Sequence, residues 1–220
     1  MMKGKVFFSS WSGGKDSALA FYEAVQSGGE PGLLLTMFEE GGLNSKSHAL
    51  PYDVIAAQAE KLNVPLLTKN ASWTSYEGMF REALNEMKHL GITYGVFGDI
   101  DLIDHLNWVQ NICEKAGVTA IHPLWEWPRK NVLKDVIELG FEAYIIVVDS
   151  TRLSPSYLGR KLTHELVEEL NRLGVDPCGE SGEFHTLVVD GPIFSSAVPV
   201  RFREIVENEG YAFLTMELLR

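Results

Sequence analysis

Short apolar runs alternate with helix-patterned segments along most of the chain, and that alternation leaves few architectures open. The runs fall at residues 5–10, 33–38, 65–69, 94–98, 118–122 and 143–148. Between them apolar residues recur at helical spacing. Ala18, Phe21, Tyr22 and Val25 make one stripe, Leu106, Val109, Cys113 and Ala116 a second, and Leu158, Leu162, Leu166, Leu170 and Leu173 a third. Thr74 and Glu77 are spaced as a capping box, Asp104 is placed as an N-cap, and Pro51, Pro128 and Pro155 suit first-turn positions. Strand-then-helix repetition requires crossovers, because parallel strands cannot be joined by tight turns. The expected fold class is α/β, a doubly wound and mostly parallel sheet. Beyond residue 175 the rhythm changes to a Gly-rich turn and alternating runs at 184–189, 198–202 and 211–218. The reading is a core over 1–175 and a small strand-containing C-terminal subdomain over 176–220, whose strands could supply an edge for a homodimer.

Charge narrows the partners. Nineteen Lys and Arg against thirty Asp and Glu leave a formal net charge of -11. Nothing global draws the chain to nucleic acid or to an anionic membrane, so an anionic ligand must be held locally. The apolar run near the N-terminus is too short for a signal peptide, and no run approaches the roughly twenty residues of a membrane span. Two cysteines, Cys113 and Cys178, give neither a disulfide framework nor a zinc-type spacing. A cytoplasmic location is expected.

A local anion site stands out after the first strand. In Ser9-Ser10-Trp11-Ser12-Gly13-Gly14-Lys15-Asp16-Ser17, two glycines let the backbone N–H groups turn inward. Ser10, Ser12 and Ser17 add hydroxyls, Lys15 adds charge, and the following helix presents its N-terminal dipole. Neither Gly-x-x-x-x-Gly-Lys-Ser/Thr nor Gly-x-Gly-x-x-Gly is present, which disfavours the common nucleotide and dinucleotide loops. A polar loop over 39–49, carrying His48, is long enough to act as a lid. Further along, Asp99 follows the fourth run, and Glu180, Glu183 and His185 cluster on the Gly-rich turn running into the next strand. Glu183 and His185 would share a face if a strand begins by Glu183. His89, His122 and His164 are expected at helix surfaces or strand ends, and the tryptophans as packing residues.

The string Ser-Gly-Gly-Lys-Asp-Ser resembles the PP-loop of the ATP pyrophosphatases. Ser47-His48-Ala49, Gly98-Asp99-Ile100, Pro123-Leu124-Trp125, Leu158-Gly159-Arg160, the stretch from Cys178 to Thr186 and Asp190-Gly191-Pro192-Ile193-Phe194 together resemble the diphthine–ammonia ligase family within that group. The resemblance implies a PP-loop, HUP-like Rossmannoid core. It further implies ATP-dependent activation of a carboxylate as its adenylate, release of pyrophosphate, and displacement of AMP by ammonia. In that family the carboxylate belongs to diphthine, a modified histidine on a translation elongation factor.

Such chemistry assigns expected roles. Lys15 and the loop neutralise the phosphates, and Asp16 and Asp99 are hard oxygen ligands suited to Mg²⁺, Asp99 alternatively positioning substrate. Glu180 and Glu183 would hold ammonium, with His185 accepting its proton. Backbone near Met37 would meet adenine, and His48 a phosphate. Three alternatives stand beside this reading: an amide ligase for another carboxylate, a transfer-RNA-modifying adenylating enzyme, and an ATP-binding module without turnover. The transfer-RNA reading lacks a paired-cysteine sulfur carrier and a basic face.

Overall fold

The computed structural model describes residues 2–46 and 48–219. Ser47, expected beside His48 in the polar loop, lies outside the described residues. The first half alternates β1 (Val6–Ser10), α1 (Lys15–Gln26), β2 (Glu30–Phe38), α2 (Tyr52–Leu62), β3 (Leu66–Asn70), α3 (Tyr76–His89), β4 (Tyr94–Val96), α4 (Ile103–Ala116) and β5 (Thr119–Ile121). The second holds α5 (Arg129–Glu138), β6 (Glu142–Asp149), α6 (His164–Leu173), β7 (Phe184–Asp190), β8 (Val200–Asn208) and β9 (Tyr211–Leu218). The expected α/β class holds. Five parallel strands in the order β3-β2-β1-β4-β5 form one sheet, and four antiparallel strands in the order β7-β6-β9-β8 form the other.

The strand period explains why the first sheet is covered on both faces. Phe7 and Phe8 are adjacent on β1 and fully buried, yet they enter different core clusters, as side chains on opposite faces must. Phe7 joins Trp11, Phe21 of α1, Leu62 of α2 and the apolar face of β6 and β7. Phe8 joins Phe80 and Leu84 of α3 and Ile112 and Cys113 of α4. Burying each such aromatic contributes about 2–3 kcal/mol. Strand order reverses direction between β1 and β4, so their carboxyl ends open the crevice where sheets of this type bind ligands.

The second sheet departs from expectation. Residues 143–148, expected in the parallel sheet, form the antiparallel strand β6 between β7 and β9. Ala143, Ile145, Ile146, Val147 and Val148 are all buried, and a strand covered on both faces has the same continuous apolar pattern in either kind of sheet. The architecture therefore changes between Ile121 and Glu142, and we propose dividing the chain near residue 125 rather than 175. The third apolar stripe is also shorter than expected. Thr163 caps α6 by accepting from the Leu166 N–H, while residues 159–162 run beside β6, with Leu162 N–H donating to Ala143 O. The helix α3 starts at Tyr76 behind Ser75, so Thr74 is not its N-cap, and Leu102 rather than Asp104 precedes α4. At the open edge of the second sheet, β8 carries Arg201, Arg203, Glu204 and Glu207, charges that discourage edge pairing.

One buried amide joins the sheets. Gln58 of α2 is fully buried, its Oε1 accepts from Trp11 Nε1 at 2.9 Å, and its Nε2 donates to Gly13 O at 3.1 Å and Val188 O at 2.7 Å. Gly13 O also accepts from Val188 N at 2.9 Å. Gln58→Leu keeps the volume but strips partners from a buried indole N–H and two carbonyls. An expected loss of about 2–4 kcal/mol follows. Urea unfolding measures it, and a change under about 0.5 kcal/mol would show that the amide is dispensable.

Candidate active site

A cavity of about 720 Å³ lies at the carboxyl ends of β1 and β4. Of the residues expected in a site, Ser10, Ser12, Lys15, Asp16, Ser17, His48, Asp99, Glu180 and His185 all line it. Gly13 and Gly14 make the turn beneath. Gly13 has φ +83 and a side chain there would strike Leu50 and Gln58, while one at Gly14 would meet His48 and the Thr186 carbonyl. α1 begins at Lys15 with no side-chain bond from its N-cap Gly14, and helix N-termini of this kind favour anions. Ser17 Oγ donates to Gly14 O at 3.0 Å and lies 3.1 Å from Ser12 Oγ. On the far wall, Thr186 Oγ1 accepts from Lys15 N at 3.1 Å, so β7 completes the cradle.

Lys15 is the electrostatic centre. Its side chain is only 4% exposed, with Nζ 2.7 Å from Asp16 Oδ2 and 3.9 Å from Glu180 Oε1. Burial works against its charge, but the two carboxylates overcome that and raise its pKa. Glu180 has the opposite problem. Burial and the neighbouring Asp16 charge lift its pKa to about 7, partly offset by Lys15 and Arg129. Its backbone is held from behind, since Asp176 accepts from the Cys178 and Glu180 N–H groups and is itself paired with Arg129. Arg129 also holds Asp101 beyond β4, at 2.7 Å.

Two imidazoles face the cradle. His48 and His185 rings lie 4.6 Å apart, and burial first, then Lys15, lowers His185 to about 4. His48 is lowered well below its ordinary value by burial, His185 and Lys15, so both rings are neutral near pH 7. The polar loop carrying His48 is tied to β2, with Lys46 N–H donating to Met37 O at 2.9 Å. Asp99 lies between His122 Nδ1, at 3.1 Å, and His105 Nδ1, at 3.7 Å. Burial would raise its pKa, but these imidazoles hold it at about 2.

Two expectations need correction. Glu183 is absent from the cavity lining: β7 begins at Phe184, and the Glu183 carboxylate accepts from Ser181 N–H at 3.0 Å and lies 3.6 Å from Arg152. The Met37 side chain packs in the α3/α4 core and its carbonyl accepts from Lys46 N–H, so an adenine contact there is a proposal for the backbone alone. Trp73 and Trp108, expected as packing residues, line the cavity with Tyr76, Phe80 and Phe97. Gln58 and the roles of Thr186 and Lys46 escaped the sequence reading. Gln58 alone carried a signal, a polar residue on the buried Val54-Ile55-Leu62 face of α2.

The halves of this geometry have known counterparts. The chain matches the diphthamide synthase N-terminal domain over residues 3–120 and the diphthamide synthase C-terminal domain over residues 128–218. It belongs to the diphthamide synthase family. A diphthine–ammonia ligase from Schizosaccharomyces pombe is 27% identical over 220 residues, covering 90% of this chain and 36% of that protein. The chain thus spans about a third of that relative's length. The Homo sapiens diphthine–ammonia ligase is 27% identical over 238 residues, covering 95% of this chain and 88% of that one. A solved structure named as a predicted subunit of tRNA methyltransferase from Methanocaldococcus jannaschii covers 85% of this chain and 98% of its own, with 16% identity and a TM-score of 0.48. Among the described residues of this family member, no helix is long and apolar enough to cross a membrane.

The two carboxylates of the site couple to stability with opposite signs. Asp99 is depressed from its ordinary 3.8 to about 2, so its contribution is present above about pH 4 and lost as pH falls through about 2, some 2 kcal/mol in all. Glu180 is raised from 4.5, so the native state loses stability as pH rises from there to about 7. In urea titrations, Asp99→Asn should reduce the acid-limb loss by about 2 kcal/mol, and Glu180→Gln should exceed the wild type at about pH 8 while matching it near pH 4. A pH-independent difference for either variant contradicts the assignment.

Proposed function

We propose that this chain is an ATP-dependent amide ligase that adenylates the carboxylate of diphthine on a translation elongation factor and replaces AMP with ammonia. One observation carries the reading: the phosphate cradle around Lys15 and the turn bearing Glu180 are opposite walls of one cavity, 3.9 Å apart at their charged atoms. Activation and amidation then proceed without moving the acyl group between sites. The names of the relatives support diphthine as the acceptor.

In the first half-reaction a carboxylate oxygen of the acceptor attacks the α-phosphorus, and the bond to pyrophosphate breaks. The first-turn N–H groups of α1, the hydroxyls of Ser12 and Ser17, and Lys15 meet the charge on the leaving phosphates. Neutral His48 and His185 suit N–H donation to phosphate oxygens better than proton abstraction. Mg²⁺ would add further neutralisation. Asp16, with a side chain 27% exposed beside the cradle, would hold it by giving up one of the two bonds its oxygens accept from Lys15 Nζ, at 2.9 and 2.7 Å, while both Asp99 oxygens face imidazoles. Among the described residues no group of three acidic, His or Cys side chains is assembled for a metal, so phosphate oxygens would complete the shell.

In the second half-reaction ammonium enters beside Asp16 and Glu180 and gives a proton to the Glu180 carboxylate. The nitrogen attacks the acyl carbon, the bond to AMP breaks, and the second proton passes to solvent. A base near 7 suits this transfer, which assigns to Glu180 the role expected of His185. The sulfur-transfer alternative loses support, since burial pushes both the Cys113 and Cys178 thiols up to about 12.

The half-reactions separate by mutation. Lys15→Ala should reduce acceptor-dependent pyrophosphate release at least about 100-fold. Glu180→Gln should retain that release while slowing amide formation by about 100-fold and removing its rise with pH near 7. Amide formation undiminished in Glu180→Gln refutes the base. Failure of diphthine-bearing elongation factor to elicit pyrophosphate release refutes the acceptor.

A further inference from the structure

One side chain outside the cavity ties two of its walls together. Arg129, the first residue of α5, donates from Nε and Nη2 to the two Asp101 oxygens at 2.7 and 2.8 Å, and from Nη1 to Asp176. Asp101 lies on the loop after β4, among Gly98, Asp99, Ile100 and Leu102 of the lining. Asp176 opens the turn that brings Cys178, Gly179 and Glu180 to the same cavity. Its Oδ1 accepts from Cys178 N–H at 3.0 Å and its Oδ2 from Glu180 N–H at 3.1 Å. The Cys178 thiol completes the ring of contacts by donating to Arg129 O at 3.4 Å. The guanidinium spans 28 residues of chain in one direction and 47 in the other, so it joins segments that local structure leaves independent.

Helix formation does not account for an arginine at this position. A cation in the first turn of α5 opposes the helix dipole, and that turn holds no acidic residue to offset it. Direct electrostatics on the base does not account for it either. Burial dominates the Glu180 pKa, and of the charges behind it Arg129 lowers that pKa while Asp101 raises it. What the fork supplies is geometry. Two N–H bonds to one carboxylate and a third to another hold three groups in fixed relation, which the single ammonium of a lysine does not reproduce. β7 anchors the far end of the turn to the cradle through Thr186 and Val188, so Asp176 is the support at the near end.

We propose that Arg129 is a positioning residue for amidation: through Asp176 it holds the Glu180 carboxylate at the cradle, and through Asp101 it ties that turn to the wall carrying Asp99. This rests on the ligase reading and adds to it a device that decides the fate of the acyl-adenylate. With Glu180 in place, ammonium gives up its proton beside the acyl carbon and the nitrogen displaces AMP. With the turn adrift, water attacks the same carbon. Its oxygen forms the new bond, the bond to AMP breaks, and the acceptor carboxylate is regenerated as protons pass to solvent. ATP is then consumed without amide.

Two measurements on the whole protein test the proposal, and the first needs no turnover. Cys113 and Cys178 are both buried, one in the α3/α4 core and the other on the clamped turn. Iodoacetamide labelling, read by peptide mass spectrometry, therefore reports the turn against an internal control. Arg129→Met should speed Cys178 alkylation at least about tenfold and leave Cys113 unchanged, with Asp101→Asn acting in the same direction by less. Unchanged Cys178 labelling in both variants overturns the clamp, as does equal acceleration of the two thiols in the partly exposed variant Asp101→Asn. The second measurement is the ratio of amide formed to pyrophosphate released, which loss of folded enzyme does not alter. It should fall at least about tenfold in Arg129→Met and no further in the Arg129→Met, Asp101→Asn double variant, because Asp101 acts through Arg129. Additive losses overturn that route. A wild-type ratio in Arg129→Lys overturns the grip in favour of charge alone. Faster Cys178 labelling with an undiminished ratio rejects the role in amidation. Wild-type protein that releases no acceptor-dependent pyrophosphate rejects the ligase and leaves the labelling result standing.

Discussion

A single buried amide decides whether the two sheets meet in the right register. Gln58 must satisfy an indole N–H, a carbonyl of the phosphate loop and a carbonyl of β7 from one fully buried side chain. An amide offers two donors and an acceptor in one plane, and no apolar residue of equal size can replace that set without leaving buried polar atoms unpaired. A shift of β7 by one residue would break the bonds to Gly13 and Val188 together and turn Thr186 away from the Lys15 N–H. The wall that bears Glu180 and His185 is thus positioned by the same contacts that shape the phosphate loop. Binding of phosphate and placement of the base are consequences of one register.

The register also explains what the sequence made legible. Strand positions and the phosphate loop could be read because each depends on local rules: alternation or continuous burial for strands, paired glycines and a helix start for an anion cradle. The membership of β6 could not, since Ile145 to Val148 bury both faces whichever way their neighbours run. Glu183 failed for a different reason. Its shared face with His185 required a strand begun by Glu183, and β7 starts at Phe184, which leaves its carboxylate to close the turn at Ser181 while His185 remains in the cavity. Trp73, Tyr76 and Trp108 come from α3, α4 and the segment before α3, so their convergence is a product of the crossover geometry and has no footprint in spacing. The polar Gln58 on an otherwise apolar helix face was the one trace of the suture, and a lone residue of that kind does not reveal its partners.

Acidity imposes a further constraint on an ATP-binding chain with a net charge of -11. Lys15 is buried between Asp16 and Glu180, so the cradle's own side chains include more carboxylates than cations. Burial first, and then the Asp16 charge, let Glu180 keep its proton to about pH 7. Addition of a triphosphate raises the local negative charge, and the same electrostatics then favours the protonated carboxyl still more. Departure of pyrophosphate removes most of that charge. In the proposed reaction the base is therefore suppressed while nucleotide phosphates occupy the cradle and released after the acyl-adenylate has formed. An ammonium ion arriving earlier meets a protonated carboxyl and stays protonated, which limits its attack on unactivated substrate. One later meets a carboxylate able to accept its proton, so the order of the two half-reactions follows from the charge crowded around Lys15.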